Sequence, residues 1–73
     1  MNNLSDKIKQ LRKSQKITQK QLADYLNISI INIQRFEYGS RRPSLDNLIA
    51  LADYFNVSLD YLVGRTDNPE INK

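Results

Sequence analysis

TQKQLADYLNISIINIQRFEYG, residues 18–39, is the stretch that decides the fold. It holds two helix starts built to one plan, eleven residues apart, at Ile17-Thr18 and Ile28-Ser29. Each start has an apolar residue, then a hydroxyl able to accept from exposed backbone N–H groups, then an apolar residue five positions after the first, Leu22 or Ile33. Thr18-x-x-Gln21 completes a capping box. Asn27 lies between the two starts, and asparagine is among the few non-glycine residues that tolerate a left-handed backbone, so the spacing predicts helix, tight turn, helix. Neither helix reaches the roughly 12–15 residues that are marginal in isolation. Two short helices fixed against each other serve to present one of them.

Working outward, Leu4, Ile8 and Leu11 form one apolar stripe over a first helix from Leu4 to Ser14, whose other faces are mostly basic. The second helix follows Thr18 and buries Leu22, Ala23 and Leu26. The third starts at Ser29 and stops before Gly39, with Ile33 and Phe36 facing the core. An advance of 100° per residue puts Ile31, Gln34, Arg35 and Tyr38 on the opposite side, with Ile30 and Asn32 on the flanks. Ser44 caps a fourth helix bearing Leu48, Leu51, Ala52 and Phe55, and a fifth short one runs from Ser58 to Gly64. No run alternates with period two, so the fold class expected is all-α with five helices. The domain is expected over residues 1–66, with 67–73 a loose polar tail or the start of a linker.

Composition removes most enzyme classes. The 73 residues contain no cysteine and no histidine, which excludes disulfides and thiolate metal sites and removes both the commonest metal ligand and the usual neutral-pH base. Two glycines cannot build a phosphate loop. Asp46, Asp53, Asp60 and Asp67 recur every seven residues, but the break at 56–58 interrupts any continuous face, and two of them sit in helix first turns where a carboxylate is favourable. The expectation is no enzyme, no metal, no cofactor and no small-molecule ligand. No apolar run approaches a membrane span and the N-terminus shows no secretory pattern, so an intracellular chain without a membrane partner is expected.

Charge is distributed unevenly. Lys7, Lys9, Arg12, Lys13, Lys16, Lys20, Arg35, Arg41 and Arg42 face only Asp24 and Glu37, whereas from Pro43 onward five carboxylates outnumber Arg65 and Lys73. The basic segment is the one with the paired helices. That coincidence favours a polyanion as partner.

With Gln19, Ala23, Ile33 and Glu37 in place, the chain resembles the lambda-repressor-like helix-turn-helix family, also called the Cro or XRE family, over about Leu4 to Pro69. In that family a small residue lies where Ala23 does, a branched one where Ile33 does, and glycine more often than asparagine at the Asn27 position. The run LIALADYFNVSLDYLVGRTDNP, residues 48–69, is similar to the last two helices and exit segment of many phage and bacterial repressors.

The resemblance implies a sequence-specific, double-stranded DNA-binding transcriptional regulator of the bacterial or phage cytoplasm and nucleoid. It implies a repressor that binds a palindromic operator as a homodimer, with the third helix in the major groove. Base reading then falls to Ile30, Ile31, Asn32, Gln34 and Arg35, and phosphate binding to Thr18, Gln19, Lys20, Tyr38, Arg41 and Arg42. Arg12 and Glu37 match a pair that bridges the first and third helices in relatives. Ile30 and Ile31 depart from the polar residues common at their positions; isoleucine cannot hydrogen-bond a base edge but can touch the thymine methyl group. The alternative is a helical protein-interaction module, an antitoxin or adaptor, that uses the same isoleucines as an apolar contact. The site of dimer contact is left open among Tyr54, Tyr61, Leu62 and the segment past Gly64.

Overall fold

A computed structural model describes residues 4–70, and over them the chain forms five helices: α1 Leu4–Ser14, α2 Gln19–Leu26, α3 Ile30–Tyr38, α4 Leu45–Phe55 and α5 Leu59–Leu62. The first three residues of the expected domain and the last three of the expected tail lie outside the described residues. All-α is the fold class. The fifth helix is a single turn, shorter than the expected Ser58–Gly64, because Val63 already leaves the helix and Gly64 takes a left-handed φ of 85°.

Hydroxyl caps open the helices from α2 onward. Thr18 accepts from the Gln21 N–H at 3.0 Å while Gln21 Oε1 accepts from the Thr18 N–H at 2.8 Å, so both halves of the capping box are made. Ser29, Ser44 and Ser58 accept from the N–H three residues on. Asn27, with φ 58° and ψ 44°, ends α2 in the left-handed conformation that asparagine tolerates.

Ile8 of α1, Leu22 and Ala23 of α2, Ile33 and Phe36 of α3, Leu51, Ala52 and Phe55 of α4, and Leu62 of α5 meet with Val57 in one core. Ile17, Ile28 and Leu26 pack on its edge. Each large side chain so buried contributes on the order of 1.5–3 kcal/mol. Because every helix is too short to hold itself, these shared contacts keep α2 and α3 at a fixed angle.

Three features differ from expectation. Lys7, on the first helix, is buried at 6% exposure with its ammonium 4.2 Å from the centre of the Tyr61 ring, a cation–π contact joining α1 to α5. Leu62 is fully buried, which removes it as a dimer contact; Tyr61 is engaged by Lys7, and Tyr54 lies against Tyr25 with ring centres 4.3 Å apart. The segment past Arg65 is tied back: the Ser58 N–H donates to the Pro69 carbonyl at 2.9 Å, and Thr66 Oγ1 and Asn68 Oδ1 accept from the N–H two residues on. Ser58 thus serves as N-cap and as anchor for the exit segment.

A repeat emerges once the two tight turns are compared. ADYLNISI, residues 23–30, and ADYFNVSL, residues 52–59, make the same helix end, turn and helix start. Asn27 and Asn56 share φ 58°, with ψ 44° and 46°, and each donates to the carbonyls of the Ala and Asp at equivalent places. The stacked Tyr25 and Tyr54 are also equivalent residues.

Candidate nucleic-acid interface

The exposed side of α3 is set by what its other side buries. With Ile33, Phe36 and Glu37 turned inward, Ile30 and Ile31 are left 40% and 53% exposed, Gln34 and Arg35 are exposed, and Tyr38 stands 87% exposed. Asn32 is half-buried beside the Ser29 cap, its N–H donating to Ser29 Oγ at 3.3 Å. An exposed set of isoleucine, amide, guanidinium and phenol on one short helix can make both apolar and hydrogen-bonding contacts.

Glu37 organises what lies beside that helix. Its carboxylate accepts from Arg12 Nε and, at 3.1 Å, from Arg12 Nη2; it also accepts from Gln19 Nε2 at 3.2 Å. Arg12 Nη1 donates to the Ile17 carbonyl at 2.9 Å. The side chains of Arg12 and Glu37 are only 13% and 5% exposed, so this is a desolvated pair, with each guanidinium nitrogen and both carboxylate oxygens hydrogen-bonded, rather than a surface pair. This network links α1, the turn before α2, the first residue of α2, and α3.

Above it lies a groove of about 730 Å³, lined by Lys9, Lys13 and Lys16 from the α1 side, by Thr18 and Gln19 at the α2 N-terminus, and by Gln34 and Tyr38 from α3, over the Arg12–Glu37 pair. Four of the residues expected to contact DNA, Thr18, Gln19, Gln34 and Tyr38, therefore share one concavity with the expected Arg12–Glu37 pair. The α2 N-terminus contributes its positive dipole end, and the lysines add full charges. Lys9, Lys13 and Lys16 are missing from the set read off the sequence. In the sequence Lys9 and Lys13 belong only to a basic helix face and Lys16 to the basic segment after it, and the packing of α1 against α3 turns the three into a groove wall.

Other expected residues are not gathered there. Arg41 and Arg42 are exposed in the loop after α3 and line a separate, smaller cavity of about 280 Å³ with Leu4, Ser5, Gly39 and Pro43. Lys20 is exposed and within 3.6 Å of Asp24 in an i,i+4 pair, and such exposed pairs are only weakly stabilising. Gln19 is half-buried with one amide N–H committed to Glu37, so its remaining N–H and its carbonyl oxygen are what it can offer a ligand. Among the described residues no three His, Cys, Asp or Glu side chains are grouped to hold a metal ion, and no helix is long and apolar enough to cross a membrane.

Comparison with known proteins places these features in company. A family model described as helix-turn-helix matches residues 8–62. Over 64 residues the chain is 41% identical to YobD, an uncharacterized HTH-type transcriptional regulator of Bacillus subtilis, covering 88% of this chain and 57% of that protein. It is 34% identical over 62 residues to RstR, the transcriptional repressor of the cryptic phage CTXphi from Vibrio cholerae, covering 85% of this chain and 55% of that one. The chain thus spans little more than half the length of these curated relatives. In three dimensions it is similar to the P22 c2 repressor, crystallised in complex with a synthetic operator, with a TM-score of 0.80 and 30% identity over 86% of this chain and 96% of that one.

Proposed function

The chain belongs to the lambda-repressor-like helix-turn-helix family, and from that membership we propose that it is a sequence-specific double-stranded DNA-binding transcriptional regulator, a repressor that binds a palindromic operator as a homodimer. The observation that carries this reading is the pairing of an exposed α3 face with the basic groove at the α2 N-terminus. A helix about 10–12 Å across fits a major groove about 12 Å wide. With α3 seated there, Ile30, Ile31, Asn32, Gln34 and Arg35 read base edges, and Thr18, Gln19, Lys20, Tyr38, Arg41 and Arg42 hold backbone phosphates. Phosphate contacts set affinity and register without reading sequence. One nine-residue helix covers only a few base pairs, and a second copy about 34 Å along the same DNA face multiplies specificity.

Two chemistries on α3 define what is read. The Arg35 guanidinium can bond guanine O6 and N7 together, worth roughly 1–3 kcal/mol of discrimination. Ile30 and Ile31 have no donor or acceptor to offer, so their contribution is contact with the C5-methyl group of thymine, and each half-site contains at least one A·T pair read in this way.

The test begins with a random DNA pool from which bound sequences are selected. Two half-sites in two-fold relation are expected. Thymine is then replaced by uracil at each position of the selected site, and at least one position loses affinity through the missing methyl group. If no position weakens, the methyl reading is wrong. Arg35→Ala binds the selected site roughly 5- to 150-fold more weakly and relaxes the preference for guanine at one position. Failure to enrich any sequence favours the protein-interaction module, with Ile30 and Ile31 facing a protein.

A further inference from the structure

All five helices end the same way. The chain passes through a left-handed residue, and the N–H groups there turn back to the last carbonyls of the helix: Lys16 to Lys13 and Ile17 to Arg12 after α1, Asn27 to Asp24 and Ile28 to Ala23 after α2, Gly39 and Ser40 to Arg35 after α3, Asn56 to Asp53 and Val57 to Ala52 after α4, and Gly64 to Tyr61 and Arg65 to Asp60 after α5. The left-handed residues are therefore Lys16, Asn27, Gly39, Asn56 and Gly64. Four are glycine or asparagine, the two types that suit the position.

Lys16 is the exception, at φ 58°. Its Cβ crowds the following carbonyl oxygen, and its side chain cannot make the local hydrogen bond by which asparagine offsets that crowding. The chain uses tolerant residues at its other four stops and a strained one here. Nothing in the packing accounts for the choice, because Lys16 is exposed. Its side chain does line the groove that also holds Lys9, Lys13, Thr18, Gln19 and Tyr38. Backbone strain kept at an exposed position is characteristic of a residue retained for contact rather than for folding.

We propose that Lys16 is a ligand for a phosphate of the DNA backbone, and that the chain accepts a strained end to α1 in order to place this ammonium at the mouth of the groove. The proposal rests on the DNA-binding reading above and makes Lys16 a further member of its phosphate set. It also predicts a signature that a solvated surface lysine does not give: relief of strain and loss of binding in the same substitution.

Four variants test it against a mixed-sequence DNA duplex titrated over a salt series, with thermal unfolding measured in parallel. K16G and K16N melt a few degrees higher than the parent chain, K16G by somewhat less because glycine also frees the unfolded chain. Both bind more weakly, and the slope of log K against log salt is flatter by about 0.9 per bound domain. K16R keeps the parent slope and melting point. R65Q, which removes an equal charge beside Asp60 at the end of α5, outside the groove, keeps the parent slope. A K16G chain that melts no higher overturns the strain premise, and one that binds with the parent slope removes Lys16 from the interface while leaving DNA binding intact. A parent chain without salt-dependent binding overturns the DNA reading itself, and this assignment with it.

Discussion

At Glu37, three helices meet in one side chain. Arg12 and Gln19 both donate to its carboxylate, and Arg12 also holds the Ile17 carbonyl just before α2 begins. Loss of one partner from such a desolvated pair leaves a buried charge uncompensated. Glu37→Leu is therefore expected to cost roughly 3 kcal/mol, whereas replacing both ends by apolar groups of similar size recovers most of that loss. Denaturant unfolding of E37L and of R12M/E37L decides the point: a double variant no more stable than the single one refutes the account. The types of these residues were legible in the sequence, since a carboxylate inside a basic segment invites a partner, and the resemblance supplied Arg12. The Gln19 bond was not legible, because it depends on how close the start of α2 comes to the middle of α3. Lys7 is the sharper failure. Nothing in a basic helix face distinguishes the lysine that comes to rest on Tyr61 from those that remain in water.

At the scale of the element, helix starts were easier to read than helix ends. Thr18, Ser29, Ser44 and Ser58 all cap as their positions suggest, because capping is a bond over three residues and needs no knowledge of the rest of the chain. Stops are subtler. Asn27 announced itself, but Asn56 reads in the sequence only as a break and Lys16 gives no signal, since nothing local to lysine favours a left-handed backbone. Asn27 and Asn56 adopt nearly the same conformation, so alanine at either position is expected to cost about 1 kcal/mol and glycine little or nothing. In thermal unfolding, N27A and N56A should fall by similar amounts, on the order of 4–8 °C. Unequal losses, with one variant near the parent value, would show that the two turns are not energetically alike. The return of Pro69 to Ser58 also belongs to this scale: a polar segment looks loose until the donor that receives its carbonyl is known.

For the whole molecule, a domain of this size is stable by roughly 4–11 kcal/mol, taking about 0.05–0.15 kcal/mol per residue. The loss expected at Glu37 is thus a large fraction of the total, which makes the interface and the fold hard to separate by mutation unless stability is measured alongside binding. The Tyr25–Tyr54 stack offers a cleaner probe of how the two turn units are joined. A double-mutant cycle to alanine should show a coupling of about 0.5–1.5 kcal/mol beyond the two single losses. A coupling near zero would mean that the rings touch without holding the units together. The five helices and their buried faces were legible from caps and apolar periodicity, whereas their global arrangement came with the family resemblance. The long-range contacts that shape the groove were not legible, since they depend on where α1 comes to lie. Two turn segments that share five of eight residues meet through equivalent tyrosines, as two molecules would in an assembly, yet both are carried on one chain. Their union is consequently set by tether length rather than by protein concentration, and the contact between them persists at any dilution.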